Sequence, residues 1–181
     1  ILKELSSIIS IEDLIKNNWQ NQNKNSLTLH DFIFKNIDIE VKTTSSEPVD
    51  IHVSSIQQLI PQKNKKLYLL VNKIFENDNG TTLLELINSI TNKFSSDSLK
   101  ETFHEILALS NYYKKHDLHY TSKYSITDML KIEIDDNTPI INPKILSEIP
   151  SNIFNIQYSL HIDSMNYTKI KNLDTFIEDI T

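Results

Sequence analysis

The stretch HDFIFKNIDIEVKTTSS, residues 30–46, places Asp31, Glu40 and Lys42 around two short runs of strand-forming residues. Side chains alternate across a strand, so Glu40 and Lys42 share one face while Ile39 and Val41 share the other. Two carboxylates on adjacent strands can converge on a hard divalent cation such as Mg²⁺ and leave positions open for water and phosphate. A lysine two residues beyond the second acid can orient or help to activate an attacking water, and can stabilise charge developing on phosphoryl oxygens. The main-chain carbonyl of Val41 can complete the shell, around one metal or two. The same residues also suit a plainer part: an edge hairpin with a solvated face, where Glu40 and Lys42 serve solubility and Asp31 merely begins a strand.

The elements that must hold these residues can be read from periodicity. Ile1, Leu5, Ile8, Ile11 and Ile15 recur at helical spacing and predict helix over residues 1–17, interrupted at Ser10, which with Asp13 can form a fresh N-terminal cap. Trp19 ends that block, and the Asn-, Gln- and Lys-rich residues 17–26 read as a loop. Strands are predicted over 31–34 and 37–43, joined across Lys35 and Asn36, with a third over 50–54. SSIQQLI, residues 54–60, reads as a short helix ended by Pro61. KLYLLVNKIF, residues 66–75, has the apolar texture of a central strand, and Gly80 marks a turn. Thr81 or Thr82 then caps a helix from Leu83 to about Asn92, with Leu83, Leu86, Ile87 and Ile90 as its stripe. A further helix covers 98–109; from Tyr120 onward the pieces are strand-like, as in KYSITDMLKIEI and NIQYSLHI. The order predicts one α/β domain over 1–181, with a core of about 1–110 and a strand-rich C-terminal extension of about 120–181.

A chain of 181 residues can bury one conventional core, and its net charge of -6 argues against a generally basic nucleic-acid coat while leaving room for a local positive groove. With no cysteine, disulfides, thiolate zinc sites and cysteine nucleophiles are excluded. No apolar run is long enough to span a bilayer and no secretory pattern precedes the first helix, so a cytoplasmic protein without a membrane partner is expected. The chain opens at Ile1 with its apolar period already running, which gives the expectation of a piece of a longer protein.

The run HDFIFKNIDIEVKTTSSEPVDIHVSSIQQL resembles the core of the PD-(D/E)XK nuclease superfamily, and more narrowly the PD-(D/E)XK proteins found near restriction and phage-defence genes. Asp31 matches the first acid of the motif, Glu40 and Lys42 match its ExK, and VSSIQQL sets Gln58 on the narrower family's glutamine. The resemblance continues through LYL at 67–69, TLLELINSI at 82–90 and, more faintly, NPKILSEIPSNIFNIQYSL. His30 stands where the superfamily nominally has proline, and the short Asp31-to-Glu40 spacing implies a tight hairpin. The superfamily often adds an acid from its first helix; Glu4 is the residue that fits, as a metal-site acid or as a boundary glutamate that snorkels outward. The resemblance implies a restriction-endonuclease-like core, with a mixed central sheet flanked by helices. It further implies Asp31, Glu40, Lys42 and Glu4 as catalytic residues, and Mg²⁺, or Mn²⁺ as a substitute, on Asp31, Glu40 and Val41. Double-stranded DNA would be the substrate, a homodimer and other restriction or defence proteins the partners. One alternative is a DNA-binding or regulatory module that kept the fold with weak or no catalysis, and another is nuclease action on RNA or on single-stranded ends.

Further residues are candidates for DNA contact. Ser54, Ser55 and Gln58 lie where a strand gives way to a helix, where amides and hydroxyls can hold phosphate, although Ser55 also suits a cap. Lys63, Lys65 and Lys66 form a small positive cluster that equally suits a solubilising turn. Lys114 and Lys115 sit in NYYKKHDLHYTSKY, where tyrosines alternate with basic residues, although Tyr112 and Tyr113 also suit the core. His30 reads as a hydrogen-bonding residue or a phosphate contact, and Asp50 and His52 as the frame of a cleft.

Overall fold

The computed structural model of the protein describes residues 1–19 and 30–176. Its N-terminal block is broken where a cap was expected. Helix α1 (Leu2–Leu5) is a single turn, and α2 (Ile11–Asp13) begins at Ser10, whose hydroxyl accepts from the Asp13 N–H at 3.1 Å. The helix then widens into a π-type turn, Leu14–Asn18. This turn pins the next element: Asn18 Nδ2 donates to the Ile33 carbonyl at 2.9 Å, and Trp19 forms an antiparallel bridge with Phe32. Of the loop predicted over 17–26, Asn17 and Asn18 belong to this turn, and residues 20–26 lie outside the described residues.

The strands among the described residues are β1 (Phe32–Ile33), β2 (Ile37–Thr44), β3 (Asp50–Val53), β4 (Lys66–Thr82), β5 (Lys123–Ile134), β6 (Tyr158–His161) and β7 (Thr168–Ile170). The longer helices are α3 (Leu83–Thr91) and α4 (Asp97–Leu109), with a short α5 (Pro143–Glu148). The main sheet runs β1-β2-β4-β5-β7 and is mixed: β2 and β4 are parallel, the other neighbours antiparallel. β3 leaves it to pair with β6 in a two-stranded sheet. The strand-rich C-terminal part therefore divides, β5 and β7 extending the main sheet and β6 completing the small one.

Alternation along the central strands separates two apolar layers. Ile37, Ile39, Tyr68 and Leu70 face the helices, where Leu5, Leu14, Ile87, Ile90 and Phe103 close the core. Leu67, Leu69 and Val71 face the other way, against Val53, Leu160 and Ile162 around the small sheet. β4 is covered on both faces, which is why its sequence is a nearly unbroken apolar run.

Thr82 caps α3 in a full capping box with Glu85. Only Ile87 and Ile90 of its predicted stripe are buried; Leu83 and Leu86 are exposed. Gly80 lies within the long β4 and not at a free turn. The ladder there slips between Glu76 and Thr81, both opposite Tyr124, and a Cβ on Gly80 would come within 2.6 Å of the Tyr124 backbone. A residue without a side chain is needed for that close approach.

Candidate active site

The β1–β2 hairpin is as tight as the spacing implies. Phe34 N–H donates to the Ile37 carbonyl at 2.9 Å, leaving Lys35 and Asn36 as the turn. The register pairs Phe32 with Ile39, so one step further Asp31 stands opposite Glu40. The ladder ends there, and the freed N–H of Val41 donates to Asp31 Oδ2 at 2.8 Å. In an extended strand a residue's N–H and C=O point to the same side, so the Val41 carbonyl faces this open edge too. The Asp31 N–H in turn favours the ionised form of the Glu40 carboxylate.

On the same face, Lys42 Nζ lies 2.9 Å from Glu40 Oε1 and donates to Gln58 Oε1 at 3.0 Å. Gln58 belongs to a 3₁₀ turn, Ile56–Leu59, seated by the fully buried Leu59. Its carbonyl oxygen also accepts from Ser54 N–H at 3.1 Å and Ser54 Oγ at 3.2 Å. Ser54 thus orients Gln58, and Gln58 and Glu40 between them fix the Lys42 ammonium. Ser55 occupies the cap position of the turn, but its hydroxyl bonds Gln57 and makes no cap.

The electrostatics are those of a crowded acid pair. Glu40 is only 2% exposed. Burial first, and the neighbouring Asp31 second, push its carboxyl up to about 7 against the pull of Lys42. Burial also raises Asp31, opposed by the Val41 N–H, Lys42 and His30. A pair of carboxylates faces one ammonium, so with both acids ionised the site carries an excess of negative charge. That donor chemistry fits a hard cation bound by two carboxylates, one carbonyl and water. Among the described residues no group of three or more His, Asp or Glu side chains is placed to hold a metal ion.

A second polar set lies further along the same face of β2. Asp38 is wholly buried; Lys65 Nζ lies 2.9 Å from its Oδ1 and also donates to the Phe34 carbonyl at 2.6 Å. His30 Nδ1 lies 3.2 Å from Asp38 Oδ2, which is the hydrogen-bonding part foreseen for it. Sequence reasoning passed over Asp38, although it shares parity with Glu40 and Lys42 and so was legible as a third polar residue on their face.

The remaining candidates are dispersed. Lys63 is exposed in the turn before β4, whereas Lys65 is directed inward. Lys114 and Lys115 lie on a 3₁₀ turn between Tyr112 and Tyr120, both of which pack in the helical layer, away from the Glu40 face. Tyr112 is buried, its hydroxyl donating to Asp117 at 2.7 Å, while Lys115 Nζ sits 5.7 Å from the Tyr113 ring. Asp50 pairs with His161 across β3 and β6 at 2.8 Å. Glu4 is on the helical face, where it lines a cavity of about 890 Å³ with Thr43 and Asn72. There Glu4 Oε2 and Asn72 Oδ1 are buried without a hydrogen-bond partner.

A mixed sheet with an acid directly before the first strand of a hairpin and an E-x-K on the next defines a PD-(D/E)XK-type core. The chain belongs to the family described as "putative PD-(D/E)XK family member" (DUF4420), whose profile matches residues 3–163. Neither the curated proteins nor the solved structures give a match. Membership agrees with a nuclease or defence role, and among the described residues no helix is long and apolar enough to cross a membrane.

Proposed function

We propose that the protein is a metal-dependent endonuclease that hydrolyses DNA phosphodiester bonds in restriction or phage defence. The observation that carries this reading is the cross-strand pair Asp31 and Glu40 with Lys42 held 2.9 Å from Glu40. Asp31, Glu40 and the Val41 carbonyl would hold Mg²⁺, with Mn²⁺ as a substitute. When bound, the ion would polarise the scissile phosphate and acidify a water. The chain's own residues do the rest. Glu40 must give up its proton, which it does as pH rises through about 7. Lys42, steadied by Gln58, brings its ammonium to the attacking water and to the charge growing on the phosphoryl oxygens. Glu4 stands apart on the helical face and is left out of this donor set. Duplex DNA is the proposed substrate, a homodimer would address both strands, and the cytoplasm is the proposed location.

A rival reading is a non-catalytic DNA-binding module, and the depth of Glu40 favours it, since a carboxyl so buried is half protonated near neutrality. Cleavage of supercoiled plasmid separates the two. The wild type should nick or linearise plasmid with Mg²⁺, stop with EDTA, and lose most activity in Lys42→Ala and in Asp31→Asn. Lys42→Ala removes one partner of the buried pair with Glu40, a loss of about 3–5 kcal/mol, and Asp31→Asn alters the acceptor of the Val41 N–H, so both variants need a matching unfolding curve. Folded wild type that cuts no substrate with Mg²⁺ or Mn²⁺ would hand the site to the binding module.

A further inference from the structure

A groove of about 480 Å³ lies where the Ser54–Gln57 segment meets the connection between α5 and β6. Its walls are joined by the small sheet: Val53 pairs with Tyr158, so Ser54 and Gln157 leave the ladder side by side. Ser54 is the residue that orients Gln58, and Gln58 holds Lys42. Ser54, which lines the groove, is thus linked to Lys42 through a single residue, Gln58.

Its lining is unusual for a chain of net charge -6, because no charged side chain contributes to it among the described residues. Amides from Gln57, Asn155 and Gln157 and hydroxyls from Ser54 and Ser151 alternate with apolar groups. At its rim Phe154 is 78% exposed and Ile153 51% exposed. The segment is shaped and not slack: Ile153 N–H donates to the Pro150 carbonyl at 2.9 Å, and Asn155 takes a φ of 55° that turns the chain directly after Phe154. Large apolar side chains presented this way beside neutral amides match the needs of a nucleobase, with a face to stack and an edge to hydrogen-bond.

We propose that Phe154, backed by Ile153, is a wedge that stacks on a base of the DNA strand whose phosphate enters the Asp31–Glu40–Lys42 site, while the groove amides meet base edges. The inference rests on the nuclease reading for the identity of the strand, and it adds the segment that grips the strand. An acidic protein gains little from phosphate attraction, so stacking and amide contacts carry a larger share of its grip.

The test uses the full chain without added metal, so that binding is read apart from cleavage. Labelled duplex and single-stranded DNA are titrated by fluorescence anisotropy, and 2-aminopurine placed at successive positions reports stacking. Phe154→Ala should weaken binding about tenfold, in keeping with loss of one base–aromatic stack, with an unchanged thermal midpoint; Phe154→Tyr should restore it. The 2-aminopurine signal should change on wild-type binding and not with Phe154→Ala. Equal binding by Phe154→Ala, or no DNA binding by the wild type, overturns the wedge. So does a fall in oligomer mass by light scattering in Phe154→Ala, which would give the groove to a second copy of the chain. Plasmid cleavage indifferent to Phe154 would sink the wedge alone, whereas Phe154-dependent binding without cleavage under any metal would sink hydrolysis alone.

Discussion

At the residue scale, Glu40 is where stability and chemistry oppose each other. Its carboxyl is raised from the ordinary 4.5 to about 7, by burial and then by Asp31. Between those values the folded chain keeps a proton that the unfolded chain has released, so the stability contribution is full below 4.5 and falls as pH rises through 7. We expect Glu40→Gln, which keeps an acceptor for Lys42, to be the more stable protein at pH 8, by roughly 1–3 kcal/mol. At about pH 4.5 urea unfolding should scarcely distinguish the two. A less stable variant at pH 8 would mean that the ion pair with Lys42 outweighs burial. The same proton would compete with the proposed cation. With Glu40 titrating near 7, apparent Mg²⁺ affinity measured by calorimetry should be about tenfold higher at pH 8 than at pH 6. Affinity that is flat with pH would remove Glu40 from the metal donors.

At the element scale, the 3₁₀ turn Ile56–Leu59 does for Lys42 what the hairpin does for the acids. Gln58 collects Lys42 and both donors of Ser54 on one oxygen, so Gln58→Ala frees the ammonium without opening the core. Such a loss of an orienting partner typically costs about 10–100-fold in activity; plasmid cleavage should fall by that range with a small change in thermal midpoint. Wild-type rates in the variant would show that Glu40 alone positions Lys42. What could be read from the sequence follows the range of the forces involved. The cap at Ser10, the Lys35–Asn36 turn, the Thr82 cap and the start of β4 depend on neighbours in sequence, and each appears as foreseen, although β4 runs on past residue 75 to Thr82. The pairing of β3 with β6 joins segments about a hundred residues apart, and no local pattern encodes a strand's distant partner. Lys65 looked like its neighbour Lys63 until a buried Asp38 gave it an inward partner. Glu4 looked like part of an apolar stripe because a continuous helix was assumed; α1 stops after one turn.

At the scale of the molecule, helices, a five-stranded sheet and a two-stranded sheet form three layers, with the candidate site on the face toward the small sheet. That layering bears on whether residues 1–110 form a core that folds without the rest. β4 has one long edge against β2 and the other against β5, along Leu67 to Thr82. Without β5, the second edge would be a long unpaired apolar strand, the form of edge that associates with other chains. The layer around Leu67, Leu69 and Val71 would lose Leu130, Ile132, Ile134, Leu160 and Ile162, and β3 would lose its partner. We therefore expect a chain ending at residue 110 to aggregate or to show no cooperative unfolding transition. The full chain should unfold in one transition that coincides by circular dichroism and tryptophan fluorescence. A dispersed, native-like NMR spectrum from the shortened chain would show that the C-terminal strands are an appendage to a self-sufficient core. Aggregation would show that β5 and β6 are part of what holds Asp31, Glu40 and Lys42 in place.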